Sequence, residues 1–340
     1  SESTYKTMRY NLLRISKMTQ IDFKDINETV LEPENLADAM AQYSVNTQIQ
    51  SILGIELWIK YKIAKLSVGS KQKIAKYNAL KDKWDVQLKD LCAKKNSTIN
   101  KNEMTDTEKD NWIDYSDLRS KWEALVDKKL DVAVPPPSFT EWRDITMVSL
   151  FILIPPTRIG NYEGMRIRYK KKNEATSLKQ DRNYLMIDMK PTADHKYTLC
   201  FNRYKTARVI GQTSEPITDK VMIQVLDTYM PLRLRLLPIN VYKFNETDTL
   251  FINTDKKQLT QSYITETLKK TTKKYIDKKL SCDIFRKIFL THFLNDNTKS
   301  IEDRKKMAKF IGQTYNPTTM ETYKKIAPVE KPEPFILNFD

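Results

Sequence analysis

Up to residue 131, apolar positions recur at three- and four-residue spacing, which predicts helices over 4–18, 33–43, 46–66, 71–94 and 107–130. In the third of these, Ile49, Ile52, Leu53, Leu57 and Tyr61 share one face, and Ser44 or Asn46 offers the start cap. Trp112, Tyr115, Leu118, Trp122 and Leu125 repeat the spacing in the fifth, and an aromatic stripe of this kind is core before it is a binding surface. Residues 131–140, with Pro135, Pro136 and Pro137 in succession, cannot continue a helix and read as a stiff, extended linker. Beyond it the pattern becomes mixed. A helix over 140–154 stops at Pro155 and Pro156. Residues 183–189, 196–202 and 208–217 alternate or concentrate apolar side chains like strands, with 203–207 as a turn, and predict a small antiparallel sheet. Helical spacing returns over 220–230, 260–280, 283–294 and 301–311. The fold class is therefore α+β, mostly α: a helical domain over 1–131, a Pro-rich linker over 132–139, a mixed domain over 140–327 and a tail over 328–340.

Charge adds a partner to this outline. Lys and Arg number 58 against 43 Asp and Glu, a net charge of +15, so the molecule attracts polyanions and nucleic acid leads. The longest apolar run, 147–156, is too short to span a bilayer, and no signal-sequence pattern is present. Cys92, Cys200 and Cys282 are widely spaced and odd in number, which points to a reducing compartment and lacks zinc-ligand spacing. With only His195 and His292 in the chain, a histidine-rich metal site is not expected, and no cofactor is implied.

Near the C-terminus, Tyr323 follows the Gly312-Gln313 turn, with a helix carrying Arg286 upstream. Breaking and rejoining a phosphodiester through side chains needs a nucleophile, cations on the non-bridging oxygens and an acid for the leaving oxygen. A tyrosine, two arginines and a lysine meet that need, because arginine gives a permanent bidentate fork and the lysine pKa falls beside other cations.

At these residues the chain resembles the tyrosine recombinases, or phage-type integrases, whose catalytic fold is shared with type IB topoisomerases. The resemblance covers 135–325 and, more loosely, the helical region before it. Pro156-Thr157-Arg158-Ile159 stands where the family has its first arginine, just after an apolar helix. Tyr204-Lys205-Thr206-Ala207-Arg208 looks like the hairpin turn that carries the family lysine. The helix from Asp283 through Arg286 to His292 matches the box of the second arginine, and Gln313 precedes Tyr323 by ten residues, as the family's turn precedes its nucleophile. The resemblance implies that Tyr323 attacks, Arg158 and Arg286 hold the phosphate, Lys205 protonates the leaving 5′ oxygen, and a 3′-phosphotyrosine link stores the bond energy without ATP or metal. It also implies double-stranded DNA as substrate and a homotetramer on paired sites; the apolar tail over 328–340 is expected to dock onto a neighbouring protomer.

Two positions depart from the family. Asp283 replaces the usual His or Lys and Gln313 the usual His or Trp, giving a histidine-free site. Gln313 still donates an amide hydrogen; Asp283 either orients Arg158, Arg286 or Lys205 or faces away from the DNA. The text around 204–206 and 311–313 is similar to integrase-like proteins of large eukaryotic DNA viruses and their satellites, which would place the protein in a host nucleus or another site of viral or mobile-element DNA. Alternatives with the same residues are a type IB topoisomerase and a catalytically degenerate DNA-binding relative. Of the rival residues, Tyr315 is expected to be structural, Tyr275 to sit on a solvated basic helix, Trp142 to be buried, His292 to pack or cap, and His195 to lie in a loop.

Overall fold

The computed structural model describes residues 2–67, 70–98, 103–131, 138–170, 178, 181–189, 196–238, 248–317, 320 and 323–325. The tail over 328–340, His195 and most of the Pro-rich linker lie outside the described residues.

The chain divides into two compact units, Ser1–Asn100 and Lys101–Asp340. The first holds α1 (Glu2–Thr19), α2 (Pro33–Ala41), α3 (Val45–Ala64) and α4 (Lys71–Thr98). Ser44 caps α3 by accepting from the Thr47 N–H, as its sequence promises. The buried arc of α3 is Ile49, Ile52, Ile55, Trp58 and Ile59, while Leu53 and Tyr61 are exposed. The expected stripe is thus rotated: α3 is apolar nearly all round and packs against both α1 and α4, so the arc between those neighbours is the one covered. Gly54 permits the approach of α1, because a Cβ there would stand 2.3 Å from Asn11 Cβ.

The second unit begins with α5 (Asp106–Asn111) and α6 (Tyr115–Asp131), which the sequence reads as one helix of the first domain. Their break has a tertiary cause: the Asn111 carboxamide oxygen accepts from the Lys279 N–H at 2.7 Å, and Lys278 Nζ donates to the Asp110 carbonyl at 2.8 Å. Helix α6 belongs with the second core because Trp122 is fully buried in it and donates to Ser149 Oγ at 2.9 Å. The compact units therefore part near residue 100, ahead of the Pro-rich segment.

There follow α7 (Phe139–Ile152), β1 (Arg166–Lys170), β2 (Tyr184–Asp188), β3 (Tyr197–Phe201), α8 (Ala207–Ile210), β4 (Thr213–Pro216), α9 (Lys220–Leu236), α10 (Gln261–Ile276), α11 (Cys282–Asn295) and α12 (Ile301–Phe310). The strands lie in the order β1-β2-β3-β4. β2, β3 and β4 pair antiparallel, but β1 runs parallel to β2, so the sheet is mixed and not the purely antiparallel one expected. β1 escapes the sequence reading because Arg-Ile-Arg-Tyr-Lys offers one buried residue, Ile167, among basic ones. The expected strand over 208–217 begins instead as α8, and Gly211, at φ 79°, ends that helix before β4. β2 is buried on both faces: Leu185 and Ile187 enter the main core, while Tyr184 and Met186 join Cys200 on the other side. Helix α9 runs through Pro231, past the expected stop at Met230. Among the described residues, no helix is long and apolar enough to cross a membrane.

Candidate active site

Three turns and one helix carry the candidate residues. Arg158 lies past the end of α7 and its Pro155-Pro156 stop, in extended backbone (φ −74°, ψ 146°), and it starts a short 3-10 turn over Ile159–Asn161. Lys205 sits exposed at the tip of the turn between β3 and α8. Both line a cavity of about 900 Å³ whose wall also carries Arg166, Arg182, Arg203 and Asp283. With Glu163 and Asp181 also on it, this wall is basic by five cations to three carboxylates, and Arg166 and Arg182 were not singled out from sequence. The signal was present in β1, where basic residues alternate with Ile167 and Tyr169.

Asn183 ties the first two turns together. Its side chain is buried and fully used: Nδ2 donates to the Asn161 and Arg203 carbonyls, both at 2.9 Å, and Oδ1 accepts from the Asn202 and Arg203 N–H groups at 2.9 and 2.8 Å. One amide thus fixes the turn after Arg158 against the base of the Lys205 turn.

Asp283 and Arg286 lie one turn apart at the start of α11, which Ser281 caps by accepting from the Ile284 N–H. Asp283 is exposed on the cavity wall, where a carboxylate in the first turn is favoured by the helix N-terminus. It makes no hydrogen bond to Arg158, Lys205 or Arg286. Cys282, the residue before Asp283, is buried and donates to the Thr157 carbonyl at 3.3 Å, binding the helix start to the residue before Arg158. Burial, the main cause, pushes the Cys282 thiol up to about 11, so this sulfur is a packed thiol and not a nucleophile.

Arg286 is 3% exposed, and neither Nη1 nor Nη2 has a hydrogen-bond partner among the described residues. A buried guanidinium without a counter-ion costs several kcal/mol, a cost that an anion brought to it would offset. The guanidinium lies 5.8 Å from the centre of the Tyr323 ring. The Tyr323 hydroxyl accepts a hydrogen bond from Gln313 Nε2 at 2.6 Å, and Gln313 is itself buried. The sequence-predicted pair ten residues apart is therefore in direct contact.

The segment bearing Tyr323 is held from several sides. Its ring packs with Phe289, Phe293, Ile311 and Met320 between α11 and α12. Thr291 Oγ1 donates to the Tyr323 carbonyl at 3.4 Å and accepts from the Lys325 N–H at 2.9 Å. Lys325 is buried, with Nζ donating to the Glu103 carbonyl at 2.8 Å and lying 3.7 Å from Glu108 Oε2. Burial pushes the Lys325 ammonium below its ordinary value, and Glu108 opposes that shift. Glu108 also pairs with Lys287, the neighbour of Arg286. Burial would raise the Glu108 carboxyl, but hydrogen bonds from Lys287 and the Thr105 N–H outweigh it and hold the group below its ordinary value. This carboxylate was missed from sequence; its capping box with Thr105 was the available signal.

The two groups of residues meet through the Lys205 turn. Thr206 Oγ1 donates to the Gly312 carbonyl at 2.7 Å, and a Cβ on Gly312, whose φ is +71°, would stand 3.1 Å from Tyr204 Cδ2. The rivals fall away as expected: Trp142 is buried, Tyr315 packs beside Tyr323, and His292 packs on Tyr115 with ring centres 4.9 Å apart. Tyr275 instead donates to Glu141 at 2.6 Å, under Lys129 and Lys274. Among the described residues, no three His, Cys, Asp or Glu side chains converge to hold a metal ion.

No protein-family model matches the sequence, and no curated protein matches it. Among solved structures, the chain is similar to the XerA recombinase, at 14% identity and a TM-score of 0.38, over 96% of this chain and 88% of that one. It is also similar to the XerH site-specific recombinase, solved bound to its difH substrate as a pre-cleavage complex, at 15% identity and a TM-score of 0.49, over 88% of this chain and 67% of that one.

Proposed function

We propose that this protein breaks and rejoins DNA strands as a tyrosine recombinase, with Tyr323 as the nucleophile. One observation carries the reading: Tyr323, whose hydroxyl accepts from Gln313, has its ring 5.8 Å from the buried Arg286 guanidinium, whose terminal nitrogens have no partner among the described residues. A phosphodiester drawn into that place would pair with Arg286 from one side and with Arg158 from the cavity wall. The Tyr323 oxygen attacks phosphorus while its proton passes to water, and the bond to the 5′ oxygen breaks. Arg158 and Arg286 take up the charge gathering on the non-bridging oxygens. Lys205 gives a proton to the departing 5′ oxygen, leaving a 5′ hydroxyl and a 3′-phosphotyrosine. Reversal by another 5′ hydroxyl reseals the strand, so bond energy is conserved and exchange needs no nucleotide. Gln313 holds the attacking oxygen without moving a proton, which an amide cannot do at neutral pH. By resemblance, the acting assembly is four protomers on two double-stranded sites.

The test is a pool of nicked duplexes of randomised sequence, in which the short fragment beyond the scissile bond diffuses away and traps the adduct. A denaturant-resistant protein–DNA band that disappears in Tyr323→Phe is expected. Absence of the band, or its persistence in that variant, would sink the proposal. Relaxation of a supercoiled plasmid with no recombinant product would move the reading to a type IB topoisomerase.

A further inference from the structure

We infer that Asn183 and Thr206 are positioning residues that hold Lys205 at the junction of the two halves of the site, an inference that rests on the proposed role of Lys205. Lys205 is exposed and stands on a turn, where a side chain with a flexible four-carbon stem has no intrinsic reason to stay in one place. General-acid work fails when the donor is misplaced by about 1 Å, so something must fix the backbone from which it springs.

The turn is fastened at two points. At its base, Asn183 uses all of its hydrogen-bonding capacity on Asn161, Asn202 and Arg203, locking the Lys205 turn to the turn that follows Arg158. At its far side, Thr206 donates to Gly312, whose neighbour Gln313 holds the Tyr323 hydroxyl. Tyr204 closes the contact by lying over Gly312 and donating to the Gly211 carbonyl. The path from Arg158 through Lys205 to Tyr323 is thus continuous, and Asn183 and Thr206 join its parts by side-chain hydrogen bonds. Asn183 lines the same cavity as Arg158 and Lys205, but its amide is fully used in those four bonds, and the Thr206 hydroxyl is given to Gly312.

The experiment uses the full-length protein and two versions of a duplex selected from the nicked pool. One has the natural 5′ oxygen at the scissile bond and the other a 5′ sulfur, which leaves without a proton. Thr206→Val keeps the shape and removes the donor. It should slow adduct formation about 10- to 100-fold on the oxygen duplex and by less than about threefold on the sulfur duplex. Thr206→Ser should restore the rate, and Asn183→Asp should show the same selectivity with a larger loss. Equal losses on both duplexes, or no loss on either, would overturn the inference. Hydrogen exchange on free protein reads the coupling apart from the chemistry: Thr206→Val should speed the amides of 207–210 and 312–313 together. A change confined to 207–210 would overturn the coupling even with cleavage intact. Failure of wild-type protein to form any adduct would remove the proposed function itself, with the exchange result still deciding whether the two turns move as one.

Discussion

The two halves of the candidate site are built in opposite ways. Arg286, Gln313 and Tyr323 belong to a packed cluster between α11 and α12, where burial and the Glu108–Lys287–Lys325 network fix every backbone involved. Arg158, Lys205 and Asp283 stand on the wall of a broad basic cavity, held by turns and helix ends and open to solvent. The buried half stores unfavourable electrostatics in an unpaired guanidinium, whereas the exposed half costs the fold little. A site of this kind meets its anion with one cation already dehydrated and aimed, and with others still adjustable.

The sharpest way to break that comparison is to remove each arginine. Arg286→Met and Arg158→Met should both lower the rate of adduct formation, by about 10²- to 10³-fold each. Their stabilities should diverge: Arg286→Met is expected to gain about 1–4 kcal/mol because it removes an uncompensated buried charge, and Arg158→Met to stay within about 0.5 kcal/mol. Thermal unfolding with and without sulfate checks this, since sulfate should raise the midpoint of wild type and leave Arg286→Met unmoved.

Glu108 should matter next, through the fold more than through the chemistry. Glu108→Ala strands the buried Lys325 and the half-buried Lys287 and should cost about 3 kcal/mol. Because the folded carboxyl is held below its ordinary value of 4.5, its contribution is present above that pH and lost as pH falls through the lowered value. Unfolding midpoints measured between neutral and acid pH should therefore fall less steeply in Glu108→Ala than in wild type.

Smaller still is the junction between the halves. Gly312→Ala would press a Cβ against Tyr204 in left-handed backbone and should cost about 1–2 kcal/mol, read by denaturant unfolding. Asp283→Asn should speed cleavage by less than about threefold, because the carboxylate is exposed and its repulsion of DNA is screened. A large gain at Asp283 would mean that the outer half is less open than its geometry implies.

These differences also mark what the sequence could say. Helices with a clear apolar stripe, such as α11 and α12, and residues set by a turn and a fixed spacing, such as Gln313 and Tyr323, are local features and were legible. β1 was not, because its place is set by pairing with β2 and not by its own composition. The break between α5 and α6 was hidden for a similar reason, as its partners Lys278 and Lys279 are distant in the chain. Asn183 has no sequence signature at all: a lone asparagine before a strand becomes a four-bond staple only when two turns converge on it. The unpaired state of Arg286 is likewise a property of burial, and spacing alone cannot supply it.

The central claim is that Tyr323 becomes covalently joined to DNA. Protease digestion of the trapped adduct followed by mass spectrometry addresses it directly. The account predicts a nucleotide mass on the peptide containing Tyr323, placed by fragmentation on that residue. The same mass on Tyr315 or on any other residue would contradict it.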